Sequence, residues 1–274
     1  MAFLKRILDF YIDSSIHVAL AAYALVRMTQ HMFEIPAQTP VALFVFFGTI
    51  VGYNFVKYDA LARTGKLPIR SELKAIIALS FCSFLAVGFC FFKLHFFTQL
   101  VAVLFLGLTT LYTLPFFPNR KNARNWKGVK IYMVALCWVG VTVVLPVVEA
   151  GIVIGADIGL KCIQRFLLIF ALILVFEIID LRTDDPNLKT VPQQIGVRHS
   201  KILGLMFLLA FYCLEFLRVQ IETQQLLINA ILVGILALFL LFASESRHKY
   251  YTSFWAESIP ILWWLMVEFV NMVL

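Results

Sequence analysis

Long apolar segments dominate the chain and restrict it to one class of fold. A helix that crosses the hydrocarbon core of a bilayer needs about 20 mainly apolar residues. Because lipid offers no partner to an exposed peptide group, each such segment is expected to close its own hydrogen bonds as an α-helix. Nine segments of this kind can be drawn through the 274 residues: 14–32, 39–58, 74–92, 95–114, 129–148, 161–180, 201–220, 224–243 and 255–274.

The composition excludes a soluble domain. Hydrophobic residues make up 62% of the chain and charged residues only 14%, which is too few to cover a water-exposed surface. The sequence therefore predicts an all-α, polytopic membrane helix bundle that forms a single domain over residues 1–274. We expect membrane lipid as a partner and no nucleic acid, and the sequence does not indicate the oligomeric state.

The distribution of positive charge predicts the orientation, because cytoplasmic loops carry an excess of Lys and Arg. We place the N-terminus and the loops after the second, fourth, sixth and eighth segments on one side. That side then holds most of the 23 basic residues: Lys5, Arg6, Arg63, Lys66, Arg70, Lys74, Arg120, Lys121, Arg124, Lys127, Lys130, Arg182, Lys189, Arg198, Lys201, Arg247 and Lys249. The opposite side receives Lys93, Lys161, Arg165 and Arg218. We therefore predict a multi-pass protein of the plasma or inner membrane with a cytoplasmic N-terminus.

Four acids lie at the end of the sixth segment and just beyond it, on the predicted cytoplasmic side: Glu177, Asp180, Asp184 and Asp185. Asp180 and Asp184 are four residues apart, so a continuing helix would place them on one face. Two carboxylates at the end of a membrane helix repel each other, and a bound cation is the usual compensation. Mg²⁺ suits this pattern because it keeps several waters and accepts one or two carboxylates together with a substrate phosphate.

The same segment also fits an ordinary polar loop. Its acids would then be solvated or paired with Arg182, Lys189 and Arg198. Under the binding hypothesis, Lys189 and Arg182 would instead hold the remaining charge of the phosphate. Spacing alone favours neither interpretation.

A second polar group lies at the end of the second segment. Asn54 is a polar residue at lipid depth, and Asp59 follows it toward the cytoplasm. One hypothesis makes the two a half-site that faces Asp180 across a cavity. The other makes Asp59 a helix-end acid paired with Lys57 or Arg63, with Lys57 extending to the interface. A two-block layout favours the half-site hypothesis, because the second and sixth segments are equivalent if the first eight segments form two four-helix blocks.

A basic loop after the fourth segment has two interpretations as well. Arg120 and Lys121 follow Tyr112 and precede the fifth segment. They either belong to an ordinary positively charged loop that touches anionic lipid, or they reach a diphosphate.

The stretch Phe176–Gly196 resembles the second aspartate-rich motif of the UbiA prenyltransferase superfamily. It has the order acid, three residues, acid, short polar turn, Lys-Thr, Pro and Gly. The nine segments and the two-block layout resemble that family over nearly the full length. The resemblance implies a UbiA-like domain with a pseudo-repeat of helices 1–4 and 5–8 plus a ninth. It also implies a Mg²⁺-dependent prenyltransferase that moves an isoprenoid chain from a prenyl diphosphate to a membrane-embedded, lipophilic acceptor, typically aromatic.

The resemblance assigns roles to individual residues. It implies Asp180 and Asp184 as catalytic Mg²⁺ ligands, with Asn54 and Asp59 as the opposing catalytic wall. The residues that would contact the diphosphate are Lys189, Arg63, Lys66, Arg120, Lys121 and Tyr112.

The chain departs from the family at the first aspartate-rich motif, which runs Asn-Asp-x-x-Asp-x-x-x-Asp. Counted from Asn54, the acids are replaced by Phe55, Tyr58 and Ala62. This departure supports an alternative function, a catalytically impaired UbiA-like membrane protein that binds lipid or a partner enzyme. A transporter is a weaker hypothesis, because the sequence shows no pair of interrupted helices in corresponding places.

Overall fold

The computed structural model describes residues 2–37, 40–63, 71–113, 128–219 and 221–273. All the regular structure in these residues is helical. The α-helices are α1 (Ala2–Asp13), α2 (Ile16–Met32), α3 (Val41–Arg63), α4 (Ser71–Phe91), α5 (Phe96–Thr113), α6 (Lys130–Val139), α7 (Leu145–Glu149), α8 (Ala156–Ile179), α9 (Val191–Leu214), α10 (Thr223–Phe242) and α11 (Ile259–Val273).

Within the described residues, six helical stretches are long and apolar enough to cross a membrane. They are Val41–Tyr58, Glu72–Phe91, Lys130–Glu149, Ala156–Arg182, Val191–Leu217 and Thr223–Phe242. These stretches indicate a multi-pass membrane protein. The other predicted segments coincide with the shorter helices α2, α5 and α11, and the count of nine spans stays a prediction.

Helix α8 belongs to the most enclosed of the six long apolar stretches. It packs against α6, α9 and α10, and Phe170, Leu174 and Ile178 on it are fully buried. Helix α4 is its opposite, with large side chains such as Phe81 and Phe84 exposed. A helix that is apolar all round is expected either inside a bundle or against lipid. The enclosed position of α8 fixes the place of the acidic segment that follows it.

A π-helical segment, Gly140–Val144, joins α6 to α7 in one continuous stretch. Pro146 lies just beyond it and has no N–H to offer the carbonyl of Thr142, four residues earlier. The hydroxyl of Thr29 on α2 donates to that carbonyl at 2.6 Å instead. A single side chain therefore satisfies a backbone group that the proline leaves without its usual partner.

Helix α9 begins at Val191, whereas the sequence predicts the seventh span from residue 201. Its start is fixed by Gln193, whose Oε1 accepts the Thr190 backbone N–H at 3.0 Å, and by Pro192 in the first turn. Gly196 then adopts a φ of 78°, which kinks the helix. The polar first turn looks like a loop in the sequence, which is why the predicted span starts ten residues after the helix does.

Candidate functional site

The acidic segment continues the path of α8 for one more turn. A 3₁₀ turn, Asp180–Arg182, follows the helix directly, and the Asp184 N–H donates to the Asp180 carbonyl at 2.8 Å. This bond has the spacing of an α-helical turn, so the two aspartates lie one turn apart and their charges interact. The geometry brings together the two residues that the sequence proposes as Mg²⁺ ligands.

Lys130, at the start of α6, supplies the cation of this cluster. Its Nζ lies 3.6 Å from Oδ2 of Asp184, and the Asp184 side chain is only 15% exposed. The sequence places Lys130 among the cytoplasmic charges but does not identify it as a site residue. Its partner lies more than fifty residues away along the chain, and neither spacing nor motif reveals such a contact.

Glu177 forms the buried floor of the cluster. It is 2% exposed, and its Oε2 accepts the backbone N–H of Val191 at 3.1 Å. Val191 is the first residue of α9, so the carboxylate lies at the positive end of that helix. Lys130, Asp180 and Asp184 are close enough to act on the charge of Glu177. This acid therefore joins α8 to α9 beneath the two aspartates.

The carboxylates of Asp180 and Asp184 fit a bound cation. Among the described residues, no hydrogen-bond donor reaches Oδ2 of Asp184, and Asp180 is exposed. No three His, Cys, Asp or Glu side chains in the described part of the chain converge as a metal-binding group. Two carboxylates without a third protein ligand suit Mg²⁺, which takes its other ligands from water and phosphate.

Lys189 lies in the loop between the acidic cluster and α9. Its φ of 47° is left-handed, and the neighbouring Leu188 carbonyl accepts the Gly128 N–H at 3.2 Å. This bond fastens the loop after Asp184 to the residues just before α6. The Lys189 side chain is exposed, so it is free to meet a ligand that approaches from the solvent.

Asn54, on α3, forms hydrogen bonds that hold neighbouring elements together. It is 4% exposed, and its Nδ2 donates to the Ser14 carbonyl at 3.0 Å and to Ser80 Oγ at 2.9 Å. Lys57 and Tyr58 donate to further carbonyls at the end of α1, those of Ile12 and Asp13. These bonds tie α3 to the end of α1. Oδ1 of Asn54 has no hydrogen-bond partner among the described residues.

The remaining predicted site residues lie outside the described side chains. Lys66, Arg120 and Lys121 fall in segments that the structure does not describe. The backbones of Asp59 and Arg63 belong to α3 and that of Tyr112 to α5, and their side chains are not described. Their roles therefore stay predictions.

A buried network lies near the other end of α8. Lys161 is 6% exposed, and its Nζ contacts both carboxylate oxygens of Glu215, at 2.7 and 3.0 Å. The same carboxylate accepts from Gln164 at 2.9 Å, Arg218 at 3.2 Å and Asn229 at 3.2 Å. The sequence predicts Lys161 on the outer side of the membrane, and the structure buries Lys161 and Glu215 among α8, α9 and α10.

Arg165 lies one turn deeper on the same face of α8. It is 3% exposed and donates to the Leu25 carbonyl at 3.1 Å, to Thr142 Oγ1 at 3.0 Å and to Thr29 Oγ1 at 3.3 Å. Its guanidinium also lies 5.5 Å from the ring centre of Trp263. The spacing of Lys161 and Arg165, two cations four apart inside an apolar helix, is the signal in the sequence that marks this network.

Comparison of the chain with protein-family models, with curated proteins and with solved structures found no match. The functional interpretation is therefore built on the residues and contacts described above.

Proposed function

We propose that the chain is a membrane prenyltransferase of the UbiA type, which transfers an isoprenoid chain from a prenyl diphosphate to a lipophilic, aromatic acceptor. The observation that carries the proposal is the pair Asp180 and Asp184. The two carboxylates lie one turn apart at the end of the most enclosed of the six long apolar stretches, and no described donor lies within hydrogen-bond distance of Asp184 Oδ2.

The proposal also includes the number of membrane spans, their layout and their orientation. We propose nine spans in one domain, arranged as two four-helix blocks and a ninth helix. The N-terminus and the acidic cluster face the cytoplasm of a plasma or inner membrane, on the side that holds most of the Lys and Arg residues. A water-soluble diphosphate would then meet the acids from the cytoplasm while its chain lies in lipid.

Each residue of the cluster has its own role in the proposed binding site. Asp180 and Asp184 would hold Mg²⁺, which supplies the positive charge that neutralises the diphosphate as it leaves. Lys130 lies against Asp184 and is placed to share its charge with the phosphate oxygens. Lys189 is exposed in the loop that follows and would contact the diphosphate from the solvent side. Glu177 holds the α8–α9 connection and so positions the two ligands.

An assay of prenyl transfer in isolated membranes tests this function. Membranes that contain the chain are given a labelled prenyl diphosphate and a lipid extract as the source of acceptor. We expect Asp180→Asn to reduce transfer by about 100-fold, because a preorganised charge contact is lost at the reacting group. Asp157→Asn, near the start of α8, is the control and should transfer normally. Equal transfer by the wild type and Asp180→Asn would refute the assignment.

A second candidate function is a UbiA-like protein that binds lipid or a partner enzyme without catalysis. The observation that favours it is Asn54, whose amide nitrogen is occupied by Ser14 and Ser80. The positions where the family carries acids hold Phe55, Tyr58 and Ala62. This candidate predicts no Mg²⁺-dependent diphosphate binding, so calorimetric detection of such binding would exclude it.

A further inference from the structure

An open groove of about 520 Å³ lies next to the turn that carries the acidic cluster. Its walls come from the turn after α8, from α9 and from the loop that follows α10. The residues that line it are Arg182, Val197, Lys201, Ala243, Ser244, Glu245 and Ser246.

The groove carries positive charge and hydroxyl groups. Arg182 and Lys201 line it directly, and Arg247 is near enough to act on the charge of Lys201. Ser244 and Ser246 add two hydroxyls that lie 2.8 Å apart. Guanidinium, ammonium and hydroxyl groups are the donors that proteins use to bind phosphate oxygens.

The two cations at the end of α10 are positioned by its last carbonyls. Lys201 Nζ donates to the Leu241 carbonyl at 2.7 Å, and Arg247 Nε donates to the Phe242 carbonyl at 3.0 Å. An ammonium has three donors and a guanidinium five, so both retain hydrogens for a ligand. The backbone therefore holds these charges in place before any ligand arrives, which lowers the entropy cost of binding.

Exposed apolar side chains flank the groove. On α9, Ile202 and Met206 are 46% and 61% exposed, and on α10, Leu241 and Phe242 are 48% and 59% exposed. Both helices are among the stretches that are long and apolar enough to cross a membrane. A molecule in the groove would thus have phosphate-binding groups at one end and a lipid-facing apolar surface at the other.

We propose that this groove binds the phosphate headgroup of an anionic phospholipid whose acyl chains lie along α9 and α10. A free phosphate or phosphate ester has the same headgroup chemistry but would gain nothing from the apolar flank. Glu245 is the one opposing charge among the residues that line the groove, and it weakens the site.

A titration followed by native mass spectrometry tests the proposal. The purified full-length chain in neutral detergent is titrated with phosphatidylglycerol. We expect Arg182→Gln to weaken binding about fivefold and Arg182→Gln with Lys201→Gln about 25-fold, since each basic group near a lipid surface contributes about that factor. Lys201→Arg keeps the charge and should retain binding, which separates loss of the site from misfolding.

Arg198→Gln is the matched control, because Arg198 is exposed on α9 next to Val197 but does not line the groove. It should change binding less than about twofold. Glu245→Gln should tighten binding, by about threefold. An equal effect of Arg198→Gln and Arg182→Gln would show diffuse surface charge and overturn the proposal. Glycerol phosphate binding as tight as phosphatidylglycerol binding would assign the groove to a free anion, which also overturns it.

Discussion

The two ends of helix α8 carry ionisable groups in opposite situations. Near its start, Lys161 is buried and both oxygens of its partner Glu215 are held by hydrogen bonds. Beyond its end, Asp180 is exposed, and the one ion-pair partner of Asp184 among the described residues is Lys130, at 3.6 Å. Buried polar groups that are fully paired hold a fold together, whereas carboxylates that lack donors repel each other and gain from a ligand. The comparison separates a structural network from a candidate binding site on one helix.

The largest expected loss of stability is near the start of α8, where Lys161 is paired with Glu215. Lys161→Met leaves Glu215 buried without its main partner and should lower the free energy of unfolding by about 4 kcal/mol. Thermal unfolding of the purified chain in detergent measures this loss. Lys93→Met is the control: Lys93 is exposed over the Phe89 ring, so its loss should cost less than about 1 kcal/mol.

The double variant Lys161→Met with Glu215→Gln sharpens this test. It removes both charges of the pair, so it should recover much of the stability that Lys161→Met alone loses. If Lys161→Met costs no more than Lys93→Met, the network is not structural and the contrast between the two ends of α8 is wrong.

An intermediate effect is expected at Thr29. Its hydroxyl serves the Thr142 carbonyl and Arg165 at once, so Thr29→Val should destabilise the chain by about 2 kcal/mol. Thr49→Val is matched to it, because the Thr49 hydroxyl bonds only to the Val45 carbonyl of its own helix among the described residues. We expect less than about 0.5 kcal/mol for Thr49→Val. Equal losses in thermal unfolding would show that the π-helical segment does not depend on Thr29.

At the acidic end, the effect on stability should be smaller still. Asp184→Asn removes a partly exposed ion pair and also removes the repulsion by Asp180, so the free energy of unfolding should change by less than about 0.5 kcal/mol. Chemical unfolding in detergent without Mg²⁺ checks this. A loss comparable to that of Lys161→Met would make the aspartates structural and remove the distinction on which the proposed site depends.

The smallest effect concerns an exposed acid outside the spans, Asp9 on α1. The Tyr250 hydroxyl donates to Asp9 and Lys249 lies 3.5 Å away, and these contacts lower the pKa of Asp9. The same bond raises the pKa of Tyr250 to about 12. The hydrogen bond between Asp9 and Tyr250 is therefore fully formed between about pH 4 and pH 10, which are close to the ordinary pKa values of the two groups. It weakens as the pH falls through the lowered pKa of Asp9 or rises through that of Tyr250.

Hydrogen-exchange protection of the α1 amides, corrected for the intrinsic rate at each pH, measures this tie. Protection should fall on acidification in the wild type and show little pH dependence in Tyr250→Phe. The same pH dependence in both proteins would mean that Asp9 and Tyr250 do not hold α1.

Much of the fold can be predicted from the sequence, because lipid requires long apolar helices. The segment 224–243 and helix α10 (Thr223–Phe242) nearly coincide. The start of α9 could not be found this way, since Pro192 and Gln193 form a polar first turn that depends on Glu177 and Thr190. Hydropathy detects burial in lipid but not a helix that begins outside it.

The candidate site, too, could be predicted from the sequence only in part. The spacing of Asp180 and Asp184 predicts that they lie one turn apart, and the backbone bond between them agrees. The contact of Asp184 with Lys130 depends on how α6 packs against α8, which no local pattern encodes. For the same reason, the sequence places Lys161 at the outer end of the sixth segment but does not reveal that tertiary packing buries it against Glu215.

Calorimetric titration of the purified chain with a prenyl diphosphate, with and without Mg²⁺, tests the central claim most directly. The account predicts Mg²⁺-dependent binding that falls by about 100-fold in Asp180→Asn with Asp184→Asn. Asp185→Asn, an exposed acid of the same turn, should bind nearly as the wild type does. Binding that is absent in the wild type, or equal in the wild type and the double variant, would contradict the claim that these aspartates hold a metal-bound diphosphate.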